Sequence, residues 1–334
     1  MIALAKTTEP APNACRFQGT PGHVESWFFR ANDPRRPRAI WLKATILAPL
    51  EGAPLAETWL IWFDAEKKQT FAKKETRAFT DASFAGDSLV DIQTGVAAFS
   101  IADEGTAKGS VGGATFDMRF RSSPSPAARP LSIYPFRFMR EGAFPKSKLL
   151  TPHPWLRFSG AIGIEGETID VDGWDGMQGH NWGKEHAFEY AWGQCTFPDE
   201  DAMIEGFSGR IRIGGRITPR MSALIVRRGA RQYRFDTIFD FWRQEAHVGL
   251  DRWTLRLENR EARVRLRMDG GDRPLACLGY HNPDGTIAYC YNTKLADVLV
   301  ELQPKGESPI NLKSKHGGAL ELLRREHTPA LDVV

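Results

Sequence analysis

The 334-residue chain has only four cysteines, Cys15, Cys195, Cys277 and Cys290, and none lies in a CxxC pair. That is too few for a disulfide scaffold, so free thiols are expected, with room for at most one bridge among well-separated positions. There is no run of about eighteen apolar residues that would span a membrane. The opening MIALAKTTEPAP has a short apolar patch but neither a basic region nor the long apolar core of a secretory leader. A soluble, cytoplasmic protein is expected. Charge of one sign is also scarce: 44 basic and 41 acidic residues leave a formal +3, too slight a balance to argue for nucleic acid or an anionic membrane surface. GxSxG, P-loop and GxGxxG motifs are missing, which leaves nucleophilic hydrolysis, nucleotide binding and dinucleotide binding without support.

What is present is 42% hydrophobic and 25% charged residues, an ordinary globular composition with enough length for two medium domains. Residues 1–20, rich in Pro, Thr and Ala, read as a flexible lead-in. After it come short aromatic and β-branched segments, among them VESWFFR, AIWLKATIL and ETWLIWF, separated by turn-rich sequence. In TFDMRFR, Phe116, Met118 and Phe120 share one face and Asp117, Arg119 and Arg121 the other, the period of a strand. The hairpin WTLRLENREARVRLRM places Trp253, Leu255, Leu257, Val264, Leu266 and Met268 inward and its arginines outward. A proline-rich link, residues 122–154, crosses the surface or plugs an opening, because its IYPFRFM centre is too apolar for a free linker. Strand-like segments recur at the spacing of sandwiches or barrels, and two smaller barrels fit better than one large pore. The expected domains are 21–184 and 185–304, with a polar tail at 305–334 in which ALELLRREH is a helix candidate. Gly22-His23 before ESWFF and Gly179-His180 before FEYAW form a faint echo that favours a tandem duplication.

The stretch from Trp174 to Gln194, WDGMQGHNWGKEHAFEYAWGQ, concentrates tryptophan, histidine, carboxylates and glycine. Indoles bury large apolar area, while ionisable groups pay for burial unless paired. It is expected to close the first half, open the second and line the functional cavity. If the following turn is centred on Asp199-Glu200, Gln194 lies opposite Glu205 and Trp192 opposite Phe207, all on one face. Glu205 is then a lone carboxylate in aromatic company, held neutral by desolvation and able to donate a proton; otherwise it faces water or an arginine. His180 and His186 lack any metal-ligand spacing, and no metal is expected. His186 reads as structural, and His180, held in a tight turn, as a cavity lining. Among Asp170, Asp172 and Asp175, Asp175 is the functional candidate.

At Gly179-His180-Asn181-Trp182-Gly183, followed by Tyr190-Ala191-Trp192-Gly193-Gln194, the sequence resembles the lipocalin-like family that includes carotenoid 1,2-hydratase (hydroxyneurosporene synthase). It is more distantly similar to tocopherol cyclase and to fungal Diels-Alderases of the calycin type. The resemblance implies an all-β chain of two tandem lipocalin-like (calycin) antiparallel β-barrels. It also implies cofactor-independent, acid-catalysed hydration or cyclisation of a hydrophobic, isoprenoid-like substrate. The alternative is a carrier of a lipophilic molecule. The family pattern favours an acid beside the HNWG turn, Asp175 or Glu185, with Glu205 as the competitor. The expected catalytic residues are Glu205, Asp175 and His180, and the expected substrate-binding residues are Asn181, Trp182, Tyr190, Trp192, Gln194 and Phe207. No cofactor is implied; the expected partner is a hydrophobic small molecule, collected through peripheral membrane contact.

Overall fold

The computed structural model describes residues 10–86, 90–213, 215–236 and 244–334. The first half of the chain forms β1 (His23–Asn32), β2 (Arg38–Ala48), β3 (Leu55–Asp64), β4 (Gln69–Ala78), β5 (Ser83–Ala85), β6 (Val90–Gln93), β7 (Ala97–Ile101), β8 (Glu104–Val111), β9 (Ala114–Ser122), β10 (Ser147–Ile164), β11 (Glu167–Asp170) and β12 (Trp174–Gly183), with the single turn of helix α1 (Arg137–Glu141) between β9 and β10. The second half forms β13 (Glu189–Phe197), β14 (Ala202–Arg210), β15 (Arg212–Ile213), β16 (Arg216–Ile217), β17 (Met221–Arg228), β18 (Arg231–Phe235), β19 (Gln244–Val248), β20 (Arg252–Glu258), β21 (Ala262–Asp269), β22 (Ala276–His281), β23 (Ile287–Pro304) and β24 (Ile310–Arg324).

Two curled antiparallel sheets result, with β15-β16 as a separate two-stranded ribbon. One runs β4-β3-β2-β1-β12-β10-β9-β8-β7-β6-β5 with β11 beside β10; the other runs β18-β17-β14-β13-β24-β23-β21-β20-β19 with β22 beside β23. In each, the last strand of the half returns to pair with the first, β12 with β1 and β24 with β13. These are two lipocalin-like half-barrels in tandem. Period-two alternation builds their interiors: Phe116, Met118 and Phe120 face one core, and Trp253, Leu255, Leu257, Val264, Leu266 and Met268 face the other. Both interiors are packed with apolar side chains.

The central strands are buried on both faces, because the sheets also stack against each other. Phe28, Trp41, Trp59 and Met177 of the first sheet meet Trp192, Leu278, Tyr280 and Leu323 of the second in a third apolar cluster. Fully burying side chains of this size stabilises by roughly 1.5–3 kcal/mol each. A glycine makes one close approach possible: a Cβ on Gly179 would lie 2.3 Å from the Phe28 ring, which sits edge-on to Trp192 with centroids 6.0 Å apart.

Three expectations need correction. The tail is not a loose polar end with a helix, since Ile310–Arg324 is a strand paired with both β13 and β23. Its Ala319, Leu320, Leu322 and Leu323 are all buried, and a strand covered on both faces carries the same unbroken apolar run as a buried helix. Of the lead-in, residues 1–9 lie outside the described residues, but Asn13 and Ala14 are buried rather than loose. Asn13 exchanges amide hydrogen bonds with Gln178, and its carbonyl accepts from the Trp27 indole at 2.9 Å. His180 lies within β12 and not in a tight turn.

The Gly-His echo also acquires a different meaning. His23 and His180 sit on the paired strands β1 and β12, and their side chains converge on one carboxylate, Glu25, at 2.9 and 2.8 Å. Among the described residues no helix is long and apolar enough to cross a membrane.

Candidate functional site between the sheets

Alternation along β13 and β14 decides what reaches the space between the sheets. Ala191, Cys195 and Phe197 of β13, with Ala202 and Ile204 of β14, point into the second barrel. Trp192 and Gln194, with Met203, Glu205 and Phe207, take the other face. The pairing Gln194↔Glu205 and Trp192↔Phe207 is the one the turn at Asp199-Glu200 predicts. That face is the outside of the barrel. It is roofed by the proline-rich link, whose Ala127, Leu131 and Ile133 pack with Trp155, Met203 and Ile225. Arg227 ties the link down by donating to the carbonyls of Ala127 and Pro130 at 3.2 and 3.1 Å, and Arg234 donates to Ser132 O at 3.0 Å.

Under this roof Glu205 is wholly buried. Its Oε1 accepts from the Thr151 hydroxyl at 2.8 Å and from the Trp192 indole at 3.1 Å. Among the described residues its buried Oε2 has no hydrogen-bond partner. Burial pushes the pKa up to about 7, against the pull of Thr151, Trp192 and the fields of Arg227 and Arg30. Beside it, the buried Arg30 guanidinium donates to Gln194 Oε1 from Nε at 3.0 Å and also from Nη2. Gln194 in turn donates to Pro154 O at 2.8 Å. Burial lowers the Arg30 pKa to about 10, while Cys195, Asp175 and Glu205 act to raise it. Asp175 accepts from the Trp155 indole at 2.8 Å and lies 3.5 Å from Arg157.

The remaining predicted residues divide. Tyr190 lines the same inter-sheet layer, where burial, with Cys290 and Glu321 nearby, pushes its phenol well above the usual range. Phe207 packs against that layer and against the link cluster. Asn181 pairs with Ser26 and Leu149 on the neighbouring strands. His180 is turned away from Glu205, into the first barrel, where its Nδ1 faces Pro12 O at 2.7 Å and its ring lies between Trp27 and Trp182, each centroid 4.8 Å away. Glu205, Trp192 and His180 therefore do not share one enclosure. His186 meets the side chain of Asn282 at 3.0 Å instead of a backbone group, and burial drives its pKa down to about 3. Glu185 pairs with Lys146 at 3.1 Å. Among the described residues no cluster of three or more His, Cys, Asp or Glu is arranged for a metal ion.

An open groove of about 590 Å³ lies beside this layer, lined by Pro12, Arg16, Leu131, Arg140, Leu150 and Trp182 among others. Arg16 lies over the Trp182 ring at 5.1 Å. Leu150 and Pro152 form part of the groove wall, while Thr151 between them turns its hydroxyl the other way, to Glu205. The acid thus stands one side chain behind the groove.

The site's buried ionisable residues Arg30, Lys43 and Lys294 were not picked out from the sequence. Lys43 approaches the Tyr280 ring to 3.9 Å, and burial lowers its pKa to about 8. Lys294 pairs with Glu321. The available signal was a charge interrupting an apolar strand, as Arg30 does in SWFFRA, Lys43 in IWLKATIL and the Lys294 partner Glu321 in ALELL.

The two half-barrels and the layer between them define a tandem lipocalin-like fold, and comparison with solved structures agrees. A candidate AttH of Nitrosomonas europaea aligns over 96% of this chain and 100% of its own, with a TM-score of 0.59 and 13% identity. CghA aligns over 96% of each chain with a TM-score of 0.59 and 11% identity. Kievitone hydratase from Nectria haematococca covers 94% of this chain and 97% of its own, with a TM-score of 0.58 and 9% identity. At such identities the likeness is one of fold. In sequence, the chain is 25% identical to the uncharacterized proteins Rv0493c and MT0513 of two Mycobacterium tuberculosis strains, over 97% of this chain and 99% of theirs. No protein-family model matches the chain.

Proposed function

We propose that this protein is a cofactor-independent acid catalyst that hydrates or cyclises a hydrophobic, isoprenoid-like small molecule, with Glu205 as the proton donor. The observation that carries the proposal is a wholly buried carboxyl group with one oxygen unpartnered among the described residues and a pKa raised to about 7. Protonating an alkene needs a neutral acid in a dry place, which burial supplies here. The proton leaves Oε2 for one alkene carbon, and the π electrons form the new C–H bond. The carboxylate left behind keeps the Thr151 and Trp192 hydrogen bonds on Oε1. Water, or a nucleophile within the substrate, then captures the cation and releases a proton that restores the acid. Trp192, whose ring already holds the Lys294 ammonium at 5.7 Å, sets an aromatic wall beside the acid. Trp182, Leu131 and Leu150 give the groove its apolar wall, and substrate reaches the acid when the link residues around Leu131 move aside while Thr151, held in β10, stays on Glu205. The resemblance to the carotenoid hydratase family and the fold shared with a kievitone hydratase support the same chemistry.

The carrier reading has an observation of its own: the residues lining the groove do not include Glu205. Mass spectrometry separates the two. Lipophiles extracted with the purified protein are incubated with wild type and with the Glu205→Gln and Asp175→Asn variants. Wild type is expected to return a product that is heavier by one water or is a cyclised isomer, while Glu205→Gln binds the same molecule and returns it unchanged. Loss of turnover in Asp175→Asn alone would move the acid to Asp175. Unchanged ligand from wild type itself would establish the carrier.

A further inference from the structure

We infer that the segment around α1 is a docking lip for an anionic lipid bilayer, set at the mouth of the groove. Phe136, Phe138 and Phe144 are 43%, 60% and 42% exposed, an aromatic cluster within one short stretch of surface. Phe136 and Phe138 stack with centroids 5.6 Å apart, so they form one apolar patch. Placing aromatic side chains in water forgoes burial, and contiguous patches of this kind mark interaction or membrane surfaces.

The charges around the patch favour a bilayer over an apolar protein face. Arg137 and Arg140 share α1 with Phe138, and Lys146 follows Phe144 by two residues, with Lys184 beside Lys146; the carboxylates linked to them are Glu141 and Glu185. Glu141 accepts from Arg137 at 2.8 Å, Glu185 pairs with Lys146, and the backbone of Lys184 bonds that of Lys146 at 3.0 Å; among the described residues these neighbours are four cations and two carboxylates. Aromatic rings inserted at the boundary of headgroups and acyl chains, with cations at the phosphate level, are the combination that anionic interfaces bind. The overall +3 says little of this, because the excess is local.

The lip is continuous with the groove, since Arg137, Arg140 and Glu141 line both. The groove therefore runs from the lip directly to Trp182, Leu150 and Leu131. This deepens the proposed handling of a lipophile by giving its route, and it fails separately from the acid chemistry, because Glu205→Gln leaves the lip intact.

The test is sedimentation with phosphatidylcholine vesicles with and without phosphatidylglycerol. Wild type is expected to sediment with the anionic vesicles and to be released by added salt. The Phe136→Ser, Phe138→Ser double variant, whose thermal unfolding should match wild type because both side chains are exposed, is expected to lose at least about tenfold in partitioning. Each of Arg140→Gln and Lys146→Gln is expected to lose about fivefold on anionic vesicles. Wild type that stays in the supernatant with both vesicle types overturns the inference, as does a double variant that sediments like wild type.

Discussion

Glu25 and Glu205 are both wholly buried carboxylates on central strands, yet they end in opposite states. Glu25 faces the first barrel and has both oxygens covered: His180 at 2.8 Å, His23 at 2.9 Å and the backbone N–H groups of Arg16 and Phe17 at 2.8 and 2.9 Å. Burial alone would raise its pKa, but the donors from His180 and His23 outweigh that and hold it at about 2. Glu205 faces the layer between the sheets, has among the described residues donors on one oxygen only, and is raised to about 7. Equal burial imposes a similar desolvation cost, and the number of donors decides which form survives. A saturated buried carboxylate fastens structure; one with an oxygen left over can do chemistry.

The largest expected effect is on stability. Glu25→Gln leaves the His23 and His180 side chains without their shared anion and is expected to cost about 3–5 kcal/mol in urea unfolding, the loss typical of breaking a buried pair. Glu205→Gln keeps an oxygen for Thr151 and Trp192 and is expected to stay within about 1 kcal/mol of wild type near pH 4.5, where the folded protein keeps Glu205 protonated. Equal losses in the two variants would erase the distinction.

The pH dependence sharpens it, because the signs are opposite. The folded-state pKa of Glu205 lies above its ordinary 4.5, at about 7. The folded protein therefore keeps a proton that the unfolded chain releases, and this contribution falls as pH rises from 4.5 through 7, by roughly 3 kcal/mol in all. The folded-state pKa of Glu25 lies below 4.5, at about 2. Its contribution is present above 4.5 and is lost as pH falls from there through 2. Subtracting the Glu205→Gln stability profile from that of wild type should isolate the first slope. Parallel profiles would mean that folding leaves the Glu205 pKa at its ordinary 4.5.

The same pair shows how far the sequence can be read. The face of Glu205 was legible because period two and a turn at Asp199-Glu200 fix which residues pair, and Gln194↔Glu205 follows. Which side of the barrel that face occupies was not legible, since alternation gives relative faces and not which of them meets a second sheet. The donors Thr151 and His180 come from far along the chain, separated by 54 residues from Glu205 and by 155 from Glu25, so local pattern holds no trace of them. The strand at Ile310–Arg324 was misjudged for a related reason: Leu320, Leu322 and Leu323 are covered from both sides, which removes the alternation that would have marked a strand. Arg30 and Lys43 could have been found, because a cation inside an apolar strand needs a partner or an aromatic face.

The smallest expected effect tests the donor account most directly. Thr151→Val keeps the shape of the side chain but removes one of the two hydrogen bonds to Glu205 Oε1, leaving only the Trp192 indole at 3.1 Å. Stability should fall by only about 1 kcal/mol, because a neutral carboxyl group loses little when one donor goes. The ionised form loses more, since a donor to a carboxylate stabilises charge, so the pKa should rise further from about 7. An infrared titration of the protonated carboxyl stretch, assigned by its disappearance in Glu205→Gln, reads this midpoint without requiring a substrate. An upward move in Thr151→Val means that donor number sets the state of the buried acid. A midpoint that stays put or falls means that burial alone sets it, and the contrast with Glu25 would then have to rest on the histidine charges and not on hydrogen bonds.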